Sequence, residues 1–139
     1  AEIRNVDVVL QDLVARTTPT LLSKLAISTG HAAQLLITAG QNIDRLHSEA
    51  AFARLCGVAP IPVSSGKTQR MRLHRGGDPQ ANATLHMIAV CRLRYHEPTI
   101  AYAHRRLTEG LSKKDILRCL KRFIAREVYH HLKTDLGLT

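Results

Sequence analysis

The segment Ser64-Ser65-Gly66-Lys67-Thr68-Gln69-Arg70-Met71-Arg72-Leu73-His74-Arg75-Gly76-Gly77 sets two hydroxyls beside a glycine and follows them with Lys67, Arg70, Arg72 and Arg75 before the next acid, Asp78. A serine hydroxyl attacks phosphorus when the phosphate charge is neutralised and a base takes the hydroxyl proton. A glycine next to that serine leaves room for a nucleic-acid backbone to approach, and nearby lysine and arginine stabilise the charge of the transition state. The phosphoserine ester so formed keeps the energy of the broken phosphodiester, so a strand can be rejoined elsewhere without ATP. The hydroxyl directly beside the glycine is that of Ser65. His74 offers an imidazole for either of two tasks, taking the serine proton or contacting phosphate. The same residues without catalysis make a plain phosphate clamp over a nucleic-acid surface, so chemistry is not fixed by this segment alone.

The elements around the segment are helical. Ile3, Val6, Leu10 and Leu13 recur at helical spacing, and Thr17, Thr18 and Pro19 interrupt that pattern. Leu21, Leu22 and Leu25 predict a short second helix, and Ala32, Ala33, Leu35 and Leu36 a third, closed by Gly40, Gln41 and Asn42. Ser48 caps a fourth helix from Glu49 to Cys56 that ends at Gly57. From Val58 to Gly77 the character changes: Pro60 and Pro62 forbid helix, and Gln69 to Leu73 alternate polar with apolar at period two. Loops beyond about 12 to 15 residues are uncommon in compact domains unless they carry function or are disordered, and the content of this one points to function.

Asp78 before Pro79 starts the next helix, which runs to about His96 and buries Ala81, Leu85, Ile88 and Cys91 while Arg92 and Arg94 lie nearer solvent. Pro98 starts a helix that ends at Gly110. Ser112 and Asp115 form a capping box for the last helix, whose Leu117, Leu120, Ile124 and Val128 face the core. The expected fold is a mainly α, compact multi-helix domain with a long central basic loop or hairpin that carries the Ser-Gly pair. One domain spans 1–139: a helical part with a hairpin-like turn over 1–57, the loop over 58–77 and a basic helical part over 78–139.

Charge is divided unevenly along this chain. Residues 1–64 hold five basic and five acidic side chains, whereas residues 65–139 hold 15 basic and 6 acidic, which accounts for the whole net charge of +9. A surface that tracks phosphates produces such a division, because each contact releases condensed counterions. Arg118, Arg122, Arg126 and His130 recur every fourth residue and stack along one side of the last helix. Such a stripe suits an anion opposite it, either a DNA backbone or acidic residues of another subunit, and equally suits a merely solvated face. Cys56, Cys91 and Cys119 are odd in number and form no C-x-x-C pair, so neither a disulfide framework nor a zinc knuckle is predicted. Adjacent His130 and His131 point about 100° apart on a helix and make no metal pair. No apolar run approaches the roughly 18 to 20 residues of a membrane span. Reduced thiols and the absence of a leader pattern predict a cytoplasmic protein that holds no metal or cofactor of its own.

The stretch Phe52 to Asn82, FARLCGVAPIPVSSGKTQRMRLHRGGDPQAN, resembles the signature of the C-terminal, serine-bearing transposase domain of the insertion-sequence one-ten family, kin of the Piv-type DNA invertases. Gly57 and Pro60 match its first turn, Ser65 and Gly66 its nucleophile pair, and Arg75 with Gly77 its second turn. A looser likeness extends from about Leu21 to Leu132. The resemblance implies that Ser65, rather than the fallback Ser64, attacks a DNA phosphodiester; Lys67, Arg70, Arg72, Arg75, Gly66 and Gly77, with Arg118, Arg122 and Arg126 of the basic stripe, are the expected nucleic-acid contacts. It implies DNA as a partner, a guide RNA as a further one, and a homo-oligomer in the full-length protein. It also implies an N-terminal RuvC-like domain whose four acidic residues hold magnesium. Nothing in these 139 residues resembles that domain. Asp7, Asp12, Asp44 and Glu49 are scattered rather than gathered on strands, so the chain reads as one half of a recombinase and is expected to be inactive alone. Where the family has a Gly-hydrophobic-Gly hairpin before the third helix, this chain has Ala26-Ile27-Ser28-Thr29-Gly30.

Three functions fit the residues: a DNA strand-joining enzyme part, a non-catalytic helical nucleic-acid-binding module, or a helical assembly module that uses its arginine stripe to meet another protomer.

Overall fold

A computed structural model describes residues 2–17, 27–59 and 77–137. Among them are six α-helices: α1 (Glu2–Thr17), α2 (Thr29–Gln41), α3 (Glu49–Leu55), α4 (Pro79–Tyr95), α5 (Glu97–Thr108) and α6 (Lys113–Leu136). A 3-10 turn, Ile43–Arg45, links α2 to α3, and no strand occurs among the described residues. The mainly helical architecture expected from periodicity is therefore present. The helix expected around Leu21 to Leu25 lies outside the described residues, as does most of the loop expected over 58–77.

Side-chain caps set the starts of these helices. Ser28, Ser48 and Ser112 each adopt extended backbone, and their hydroxyls accept from the amides of His31 (3.2 Å), Ala51 (3.0 Å) and Asp115 (3.1 Å). Asp78 does the same for α4, accepting from Gln80 N at 2.9 Å with Pro79 in the first turn. The expected capping box at Ser112 is half made, because the Asp115 carboxylate turns toward Arg118 at 3.8 Å. Before α2, Ser28 supplies an ordinary cap at the place where the resemblance leads one to expect a Gly-hydrophobic-Gly hairpin. A Cβ added at Gly30 would meet only the Ser28 hydroxyl at 3.9 Å, so nothing there requires glycine.

Described residues before and after positions 60–76 join one buried cluster. Leu35 and Ala39 of α2, Phe52 and Leu55 of α3, Leu85, Ile88 and Ala89 of α4, and Leu120, Ile124, Val128 and Leu132 of α6 all belong to it. α4 packs against α2, α5 and α6, and α6 also packs against α3. The Phe52 and Tyr129 rings lie 5.9 Å apart between α3 and α6.

Two inward stripes differ from those the periodicity predicts. On α4 the stripe passes from Ile88 to Arg92, a step of four rather than three, so Cys91 is half-buried and Arg92 is 8% exposed. Arg92 was expected nearer solvent; enclosure of α4 by three helices widens its buried arc, and the guanidinium is met by Glu127 at 2.7 Å. On α6 the stripe begins at Ile116, and Leu117 packs at the edge of the cluster. No helix among the described residues is long and apolar enough to cross a membrane.

Candidate nucleic-acid interface

Ser64, Ser65, Gly66, Lys67, Arg70, Arg72 and Arg75 lie outside the described residues. The two stems that hold them are described, and they meet. After α3, Gly57 takes a left-handed φ of 71°, which glycine adopts without strain, and Val58 N donates to Ala53 O at 2.9 Å. The chain returns at Gly77, and Asp78 N donates to Leu55 O at 2.6 Å. The segment between therefore leaves and re-enters the helical body at one place.

Asp78 and Asn82 tie that place to its surroundings. One Asp78 oxygen caps α4, while the other accepts from the Thr38 hydroxyl of α2 at 2.7 Å. Asn82, one turn into α4, donates its amide to Cys56 O (3.0 Å) and Gly57 O (3.2 Å) and accepts from Lys121 Nζ of α6 at 2.8 Å. Buried carbonyls left by the end of α3 are thereby satisfied, and four helices converge on the two stems.

A cleft of about 260 Å³ opens here, lined by Cys56, Gly57, Gly77, Asp78, Asn82 and their neighbours. Burial, with the Asp78 charge adding to it, pushes the Cys56 thiol up to about 12, so it stays protonated and packs as a small apolar group. Burial likewise lowers the Lys121 pKa, and the Arg118 charge lowers it further. The ammonium that faces the stems is thus held by Asn82 against a cost in solvation.

The basic stripe runs along α6 from this point. Arg118 lies near Asp115, Arg126 Nε donates to Glu49 Oε1 at 2.6 Å, and His130 Nε2 stands 3.4 Å from the other Glu49 oxygen. Part of the anion expected opposite the stripe is therefore Glu49, which belongs to this same chain. Its carboxyl is held below the usual range chiefly by the hydrogen bond from Arg126. Arg122 Nη1 is buried and has no acceptor among the described residues.

A family model for the Transposase IS116/IS110/IS902 family matches residues 19–104. The chain belongs to that family. The match spans the Ser-Gly segment and both of its stems and ends within α5, so α6 stands outside it. No curated protein and no solved structure matches the chain.

In this transposase chain four of the described acids meet basic side chains. Asp12 pairs with Arg16, Glu49 with Arg126, Asp115 with Arg118 and Glu127 with Arg92. Among the described residues no group of three His, Cys, Asp or Glu is placed to hold a metal ion. The described carboxylates therefore do not form the four-acid set that the resemblance places in a RuvC-like domain.

Of the residues singled out from sequence, Gly77 lines the cleft at the stem, and Arg118 sits within one helical turn of Lys121. Arg126 instead meets Glu49 at the start of α3. Sequence reasoning missed Asn82, Lys121 and Thr38. Asn82, Lys121 and Thr38 carried no sequence signal, because their partners lie 25 to 40 residues away.

Proposed function

We propose that this domain presents Ser65 to a DNA phosphodiester and joins strands through a phosphoserine intermediate. The reading is supported foremost by the family match, whose span contains the Ser-Gly segment. The closed stems add physical sense: Leu55, Asp78 and Asn82 anchor both ends of the segment on rigid helices, which limits the freedom a mobile nucleophile would otherwise lose on reaching its target.

In the proposed step the Ser65 oxygen bonds to phosphorus, its proton passes to a base, and one deoxyribose oxygen leaves and takes up a proton. A strand hydroxyl then attacks the phosphoserine, restoring a phosphodiester and releasing the serine. Lys67, Arg70, Arg72 and Arg75 balance the phosphate charge as it develops, with Gly66 and Gly77 giving the backbone room. Arg118, Arg122 and Arg126 extend the cationic surface along α6. The partner is DNA, a guide RNA is the second nucleic acid, and the complete recombinase acts as a homo-oligomer whose RuvC-like domain brings magnesium. The domain is the C-terminal half of that recombinase, related to the Piv-type invertases, and works in the cytoplasm.

The test is a denaturant-resistant protein–DNA adduct in the complete recombinase. Ser65→Ala is expected to abolish the adduct and leave DNA affinity within about twofold, since no cation is lost. An adduct that survives in both Ser65→Ala and Ser64→Ala would overturn the reading and leave a non-catalytic binding module.

A further inference from the structure

Away from the loop stems, α5 and α6 bring together a partly buried ring, Tyr102, at the edge of the buried cluster and an exposed one, Phe123. Phe123 is 47% exposed, and the Tyr102 ring meets it edge to face with centroids 5.7 Å apart. Beside them is a cleft of about 190 Å³, lined by Pro98, Tyr102, Leu120, Phe123 and Ile124 with Arg92. A phenylalanine half in water on a helix that otherwise buries its apolar stripe calls for an occupant.

The charge around the rings says which occupant. The guanidinium carbons of Arg105 and Arg106 lie 5.5 and 5.9 Å from the Tyr102 centroid, and that of Arg126 lies 5.9 Å from the Phe123 centroid. Glu109 is shared between Arg105 and Arg106, and Glu49 between Arg126 and His130, so the carboxylates are outnumbered. A second copy of this chain would bring the same arginines to the contact and be repelled. A duplex keeps the faces of its bases stacked and could offer the rings nothing. An unpaired nucleotide offers both a π-face for the rings and a phosphate for the guanidinium groups.

We infer that the cleft beside Tyr102 and Phe123 binds an unpaired nucleotide of a DNA or RNA strand, with its base against the two rings and its phosphate on Arg105, Arg106 and Arg126. The site is distinct from the Ser-Gly loop. Lys121, which holds the loop stem, precedes Phe123 by two residues and so points about 200° away around the helix axis. It is also independent of strand joining, because a chain with no nucleophile could still hold a strand there.

The experiment measures binding of the whole chain to fluorescein-labelled oligothymidine, oligouridine and a blunt DNA duplex of equal length, by anisotropy across a salt series. Phe123→Ala is expected to weaken both single strands about tenfold, from the usual strength of base–aromatic stacking, and to leave the duplex within about twofold and the salt slope unchanged. Phe123→Trp is expected to restore single-strand affinity, and the tighter of the two strands identifies the natural polymer. Photo-crosslinking of a bromodeoxyuridine strand to the unmutated chain reads the same site without dependence on a variant's folding, with attachment expected on α5 or α6 near the rings. Equal losses for strand and duplex, no loss at all, cross-links confined to other helices, or a dimer that Phe123→Ala dissociates with oligonucleotide affinities unchanged would each overturn the inference.

Discussion

Helices α1 and α6 are both amphipathic, yet they use their apolar residues differently. α6 buries Ile116, Leu120, Ile124, Ala125, Val128, Tyr129 and Leu132, whereas α1 leaves Val8, Val9, Leu10 and Leu13 exposed. The difference among the described elements is in the neighbours: α6 is flanked by α3, α4 and α5, while α1 packs on α2. Periodicity tells which residues share a face but not whether anything covers that face. Stability should therefore reside around α4 and α6, with α1 adding little within this chain.

The widest separation is expected between Phe52, which is fully buried against Tyr129, and Leu13, which is 53% exposed. Phe52→Ala should cost about 3 to 5 kcal/mol in urea unfolding, the usual range for emptying such a site. Leu13→Ala should stay within about 0.5 kcal/mol. A Leu13→Ala loss comparable to that of Phe52→Ala would mean that α1 is covered in solution, and the contrast between the helices would fail.

A smaller effect is expected inside the α4–α6 contact. Arg92→Ala strands Glu127 beside the core, and with Glu127 partly open to water the loss should be about 2 kcal/mol. Replacing both partners, as Arg92→Met with Glu127→Leu, should recover most of it, because two apolar side chains of similar length need no charge partner. A double variant no more stable than Arg92→Ala would show that the ion pair is not what holds these two helices together.

Much of this architecture was legible because its causes are local. Ser48, Asp78 and Ser112 cap the helices their spacing predicts, since a cap acts within three residues. The division of charge located the basic part, and the Ser-Gly segment with its flanking turns pointed to the family. Arg92 was misread because which arc of a helix is buried depends on how many helices surround it. The bonds from Asn82 to the stem carbonyls, from Lys121 to Asn82 and from Thr38 to Asp78 join residues 25 to 40 apart, and no periodicity encodes such a pairing. The Tyr102–Phe123 cleft was hidden for the same reason, as each ring alone looks like a core residue at helical spacing.

The smallest effect tests the seam between the neutral and basic parts of the chain, where Glu49 of α3 accepts from Arg126 of α6. The folded state holds the Glu49 carboxyl below its ordinary value, mainly through that hydrogen bond, so folding is favoured by its ionised form. Such a contribution is complete at neutral pH and is lost as pH falls through the depressed value. Glu49→Gln should accordingly lower Tm slightly at pH 7, and the gap to the unmutated chain should close as pH drops below about 4, where an unfolded glutamate is already protonated. Added salt should narrow the gap at neutral pH as well, because both partners are open to solvent. A gap that holds constant across this range, or widens in acid, would assign the loss to packing around α3 and remove electrostatics from the seam.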